Sequence, residues 1–167
     1  MKILIAEDDA FFRKILEKLL SSEFEVQTAE DGSSAWEMLQ QKNAPSVAVL
    51  DWVMPGLTGP QICRLARAHP KTASSYLMLL TSRNSSSDIA AGLRAGADDY
   101  ITKPFEPEEL RARVHAGKRI MDLQTILATQ QHILDAALAR EKILRAQLNT
   151  LKTEENVNPK TLAASAS

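Results

Sequence analysis

The sequence predicts an α/β fold: a doubly wound parallel sheet of five βα units, with the fifth helix extended into a long coiled-coil helix. Three observations predict it. Short apolar runs alternate with stretches of helical period from residue 3 to about residue 117. Two of the runs, Val47-Ala48-Val49-Leu50 and Leu77-Met78-Leu79-Leu80, are apolar at every position, as in strands covered by helices on both faces. From Lys118 to Val157 there is neither glycine nor proline, and the apolar residues repeat in heptads.

The strands fall at Ile3 to Ala6, Glu25 to Thr28, Val47 to Leu50, Tyr76 to Leu80 and Asp99 to Thr102. Helical periods run from Phe11 to Leu20, Ser34 to Gln41, Gln61 to His69 and Ile89 to Ala95, and a fifth opens near Glu106. Each start carries a capping signal, because a side-chain oxygen before a helix satisfies its free N–H groups. Asp9 precedes the first helix, Asp31 or Ser33 the second, Thr58 the third, and Ser85 to Ser87 the fourth. Glu106-Pro107-Glu108-Glu109 opens the fifth with proline and acid in the first turn. Gly96 stands where the fourth helix stops.

With Ile120 at an a position, the a series is Ile120, Leu127, Leu134, Glu141, Leu148, and the d series Leu123, Gln130, Ala137, Leu144, Leu151. Gln130 and Glu141 interrupt the pattern; such buried polar residues weaken a coiled coil or fix its register. Ile126, Ile133 and Leu138 widen the stripe, which also suits a larger bundle. At about 1.5 Å per residue, a helix from Glu108 to Thr153 is roughly 69 Å long, too long to bury its stripe on its own domain. A partner helix is expected, and a homodimer through residues 120–151 is the simplest case. Gly117 inside the helix costs about 0.8–1.0 kcal/mol against alanine and reads as a hinge. The expected organisation is an α/β domain over 1–119, a coiled-coil extension over 120–155 and a flexible tail over 156–167.

Composition narrows the classes. The chain has 167 residues, 44% of them hydrophobic, enough for a core. Its formal charge of -1 excludes nucleic-acid binding through bulk charge, and no helix-turn-helix pattern is evident. A single cysteine, Cys63, excludes an internal disulfide and a cysteine metal cluster, and fits the cytoplasm. No apolar run approaches the roughly 20 residues of a membrane span. His69, His115 and His132 show no ligand spacing.

In an open parallel sheet, ligands bind where the strands end. Glu7, Asp8 and Asp9 follow the first strand, Asp51 the third, Thr81 and Ser82 the fourth, and Lys103-Pro104 the fifth. Two or three carboxylates held together repel one another and call for a cation. Hard oxygen donors select Mg²⁺, which keeps several waters and shares its shell with phosphate. The Thr81 hydroxyl and Lys103 ammonium suit phosphoryl oxygens, and Asp51, ending the central strand, suits an acyl-phosphate nucleophile. Each residue also has an ordinary reading. Glu7-Asp8-Asp9 suits helix caps, Lys103 a solvated surface lysine, and Thr81 a strand-end β-former. All four groups at one sheet end weigh against that.

The motifs Ile3-Leu4-Ile5-Ala6-Glu7-Asp8-Asp9, Asp51-Trp52-Val53-Met54-Pro55-Gly56 with Gly59, Leu80-Thr81-Ser82 and Gly96-Ala97-Asp98-Asp99-Tyr100-Ile101-Thr102-Lys103-Pro104-Phe105 resemble the receiver domain of two-component response regulators. The resemblance covers residues 2 to about 119. It implies a flavodoxin-like (βα)5 sheet in strand order 2-1-3-4-5. It implies that Asp51 accepts a phosphoryl group from a histidine kinase or a histidine phosphotransfer protein. Asp8, Asp51 and the Val53 carbonyl would then bind Mg²⁺, with Glu7 holding a metal-bound water. Lys103 would pair with the phosphoryl group, and its peptide to Pro104 would be cis. Thr81 would move toward the phosphoryl oxygens and Tyr100 would turn inward, altering the face formed by the fourth helix, fifth strand and fifth helix. Ser82, Arg83 and Pro104 would border the phosphate, and Val53 and Arg83 would tune its lifetime.

The resemblance also implies a signalling switch rather than an enzyme. The long helix is similar to linkers that join receivers to diguanylate cyclase or phosphatase modules, so a fragment of a larger regulator is the alternative. An aspartate-nucleophile phosphatase fits less well, since Val53 stands where those enzymes place a second aspartate. A receiver used only as a scaffold would lack filled catalytic positions, and all are filled here.

Overall fold

The computed structural model describes residues 1–157, with side chains through Thr153. The strands are β1 (Lys2–Ala6), β2 (Glu25–Ala29), β3 (Val47–Asp51), β4 (Tyr76–Thr81) and β5 (Asp99–Thr102). The helices are α1 (Ala10–Leu20), α2 (Gly32–Leu39), α3 (Gly59–Ala68), α4 (Ser86–Arg94) and α5 (Pro107–Val157). All strand pairs are parallel, in the order β2-β1-β3-β4-β5 expected from the resemblance.

Successive side chains of a strand point to opposite faces, so one strand feeds two cores. Ile3, Ile5, Val47, Val49, Met78 and Leu80 pack with Leu16 and Leu20 of α1 and Leu110 and Val114 of α5. Leu4, Ala6, Ala48, Leu50, Leu77 and Leu79 pack with Ala35 and Leu39 of α2, Ile62 and Ala66 of α3, and Ala95 just after α4. That division explains why β3 and β4 are apolar throughout.

The caps form at the residues that announce them. Asp9 accepts from the Phe12 N–H, Asp31 from Ser34, and Ser85 from Asp88. Between the two candidates for α2, Asp31 is the cap. Thr58 and Gln61 exchange bonds in a capping box. Gly96 has φ 105°, the left-handed conformation that lets the chain leave α4 without a Cβ clash.

α5 continues through Gly117 without a break in the helix. An added Cβ there would lie 2.5 Å from Cδ1 of Tyr76, so the glycine admits the tyrosine ring against the helix. The chain divides into two units, Met1–Leu123 and Gln124 onward. In the second unit the helix is exposed over its described side chains, and Leu127, Leu134, Leu144, Leu148 and Leu151 are each more than half exposed. Of the expected flexible tail over 156–167, residues 156 and 157 continue α5, and the rest lies outside the described residues. Among the described residues no helix is long and apolar enough to cross a membrane.

Candidate functional site

The strand order sets the site. β1 and β3 are neighbours at the sheet centre, and β4 and β5 follow on one side, so their carboxyl ends share an edge. Glu7 and Asp8 come from the turn after β1, Asp51 ends β3, Thr81 ends β4, and Lys103 follows β5. The sequence-predicted groups Glu7, Asp8, Asp51 and Lys103 are thereby brought together.

Glu7, Asp8 and Asp51 each offer a carboxylate oxygen, and these atoms lie within 4.8 Å of one another. Glu7 is buried at 2% exposure, Asp51 is half-buried and Asp8 is exposed, so the cluster runs from the interior to the surface. The Lys103 ammonium donates to Glu7 Oε2 at 2.7 Å and Asp51 Oδ1 at 3.2 Å. Its Nζ also stands 4.4 Å from the centre of the Phe12 ring, a cation–π contact. Lys103–Pro104 is a cis peptide.

Burial pushes the Glu7 carboxyl above its ordinary range, opposed by the hydrogen bond from Lys103 and reinforced by the charge of Asp51. Burial likewise pushes Asp51 up, and the Lys103 charge opposes it. One ammonium thus faces three carboxylates, and the excess negative charge is what a divalent cation neutralises. The donor set fits Mg²⁺: all oxygen, few protein ligands, and an exposed side at Asp8 where water and phosphate could complete its shell.

Thr81 is buried, and its hydroxyl oxygen accepts from the Arg83 N–H at 3.1 Å. Tyr100 is buried too, with its hydroxyl donating to the Arg83 carbonyl. Burial and the charge of Asp88 push its phenol up, and the nearby Thr81 hydroxyl and Arg83 charge oppose them. The Tyr100 ring meets Trp52 edge-on at 6.1 Å and packs where Gly92 leaves space. The Arg83 guanidinium stands 5.5 Å from the Trp52 ring centre and 3.3 Å from Asp88. Val53, Ser82 and Pro104 are exposed on the surrounding turns, and Asp9 is taken up as the α1 cap.

Phe12 and Arg13 were not singled out by the sequence. Arg13 Nη1 donates to the main-chain carbonyls of Glu7 at 2.6 Å and Asp8 at 3.2 Å. A signal for it exists: Arg13, Leu16 and Leu20 stand at i, i+3 and i+7, so the arginine lies on the buried face of its helix.

The chain is similar to known proteins over this same region. Residues 3–115 match the family model of the response regulator receiver domain. The phosphate regulon transcriptional regulatory protein PhoB of Rhizobium meliloti (strain 1021) is 38% identical over 141 residues, covering 84% of this chain and 61% of that protein. The response regulator RppA of Synechocystis is 39% identical over 121 residues, covering 71% of this chain and 51% of that protein. The chain therefore spans about half to three fifths of the length of these curated relatives. The solved receiver domain of the Francisella response regulator 1452 superposes with TM-score 0.65 at 32% identity, over 71% of this chain and 97% of that one. With the family model matching more than half of its length, the chain belongs to the response regulator receiver domain family.

Proposed function

We propose that the chain is the phospho-accepting switch of a two-component phosphorelay, acting in the cytoplasm, and that Asp51 is the acceptor. The observation that carries this reading is the convergence of Glu7, Asp8 and Asp51 within 4.8 Å beside the Lys103 ammonium. The donor is a phosphohistidine on a histidine kinase or a histidine phosphotransfer protein. An Asp51 carboxylate oxygen attacks phosphorus, the P–N bond breaks, and the imidazole leaves with the electron pair, giving an acyl phosphate.

Glu7, Asp8 and Asp51, with the Val53 carbonyl, would hold Mg²⁺, which when bound neutralises the nest and draws charge from the phosphoryl oxygens. Lys103 supplies a fixed positive charge from the β5 side, already aimed at Asp51. Thr81 offers its hydroxyl to a phosphoryl oxygen, while Ser82, Arg83 and Pro104 border the group. The added charge of about -1.5 to -2 draws Thr81, and the Thr81–Arg83–Tyr100 bonds carry that shift to α4, β5 and α5.

The protein is a signalling switch rather than an enzyme acting on outside substrates. A second copy is the proposed partner of the exposed stripe over residues 120–151, within a coiled coil over 120–155 that follows a receiver over 1–119. The nearly balanced charge favours protein partners over nucleic acid or membrane for these residues.

The test is phosphorylation of the full chain by acetyl phosphate with Mg²⁺, followed by intact-protein mass. One phosphoryl group per chain is expected, absent in Asp51→Asn. No uptake, or equal uptake by Asp51→Asn, overturns the reading.

A further inference from the structure

Two of the three clustered carboxylates sit on one short turn, and that turn is tethered from α1. Arg13 Nη1 spans two successive peptide carbonyls, those of Glu7 and Asp8. On the other side, the Glu7 N–H donates to the Ala29 carbonyl at 3.1 Å, at the end of β2. The Arg13 side chain is only 18% exposed, and its nearest carboxylate partner is the exposed Glu30 at 3.8 Å. Its short bonds therefore go to backbone oxygens rather than to the carboxylates themselves. Among the described residues the Asp8 carboxylate makes no hydrogen bond, so what directs it from the turn is the Cα–Cβ bond that its backbone sets. Carbonyls held in place fix the peptide planes on either side of a Cα, and with them the Cα–Cβ bond from which the side chain extends. A guanidinium suits this role because it is planar, permanently charged and weakly hydrated.

We propose that Arg13 is a positioning residue for the acidic nest: by holding the Glu7 and Asp8 carbonyls it keeps their carboxylates converged, and so sets the affinity for a divalent cation. This rests on the reading that Glu7, Asp8 and Asp51 hold Mg²⁺. Two effects of removing Arg13 have opposite signs. Taken as charge alone, deleting a cation bonded to the Glu7 and Asp8 carbonyls tightens Mg²⁺ binding. Taken as a tether, the deletion lets the turn relax and weakens it. A residue with a purely structural role changes stability and leaves the affinity alone.

The experiment is a Mg²⁺ titration of the full chain followed by Trp52 fluorescence, in a Trp36→Phe background, with urea unfolding in metal-free buffer alongside. Arg13→Ala is expected to raise the Mg²⁺ Kd by about 10-fold or more, the scale of lost outer-shell support at metal sites. Arg13→Lys keeps the charge but not the fork, and its Kd is expected to lie between the two. A Kd for Arg13→Ala that is unchanged or lower, in a protein that responds to Mg²⁺ before substitution, overturns the role of Arg13 alone. Absence of any response in the unsubstituted protein overturns the metal reading, and this inference with it. Should Arg13→Ala fail to fold, Arg13→Lys decides: a Kd equal to the parent's overturns the proposal.

Discussion

Replacing Asp8 by asparagine exchanges one property of the site for another, and the exchange has a size. In metal-free protein the Asp8 carboxylate lies within 4.8 Å of those of Glu7 and Asp51. Two unit charges at that separation repel by about 3.5 kcal/mol at an effective dielectric of 20 and about 0.9 kcal/mol in bulk water. Asp8 is exposed, so the lower value applies, and its two repulsions come to about 2 kcal/mol. The charge of Lys103 offsets part of this, leaving an expected gain of about 1 kcal/mol for Asp8→Asn in chelator. Salt screens this only in part, since the Debye length at about 0.15 M is about 8 Å. With Mg²⁺ the order reverses. A ligand at about 100 times its Kd stabilises the native state by about 2.7 kcal/mol, and Asp8→Asn gives up most of that. Urea unfolding of both proteins, with chelator and with saturating Mg²⁺, reads the four free energies. The asparagine variant should be the more stable protein in chelator and the less stable one in Mg²⁺. If it is the less stable in chelator, or gains as much from Mg²⁺ as the parent, the electrostatic account of the nest is wrong.

Metal-free stability should fall as pH rises from the ordinary values of 4.5 for Glu7 and 3.8 for Asp51 through their raised native values, because the folded state keeps protons that the unfolded state has released. Mg²⁺ should flatten that slope, and a chemical-unfolding series against pH checks both. Gly117→Ala should destabilise the protein although alanine is the better helix former by about 0.8–1.0 kcal/mol, since overpacking costs about 1–3 kcal/mol. A rise in melting temperature would show that the Tyr76 ring yields freely. Leu127→Glu with Leu134→Glu should halve the mass measured by light scattering, leaving Mg²⁺ binding unchanged.

Much of this architecture was legible because local and global signals agree. Val47 to Leu50 reads as a buried strand, and it is one, since helices cover both faces. Asp9, Asp31, Thr58 and Ser85 read as caps and act as caps. Strand ends were less exact. β1 to β4 each include one further residue, because Lys2 pairs with Glu25, Ala29 with Ala6, Asp51 with Leu80 and Thr81 with Thr102 in ladders that ignore side-chain polarity. The acidic edge was legible because each of its members directly follows a strand. Arg13 was missed because a charged helix residue ordinarily faces water; its register with Leu16 and Leu20 was the signal, and the carbonyls it reaches give the reason for its burial. Gly117 reads as a weak point along the chain, whereas its reason lies in a ring from a different strand.

The Lys103 ammonium bonds Glu7 and Asp51 across 96 and 52 positions of sequence. A chain leaving the ribosome presents its acid groups long before the cation that faces them. Until β5 docks, Glu7 has no lysine to share its interior position, and the centre is incomplete. The order of synthesis therefore makes β5 the last element this edge needs: a chain ending ahead of Lys103 carries Glu7, Asp8 and Asp51 without the ammonium that bonds two of them.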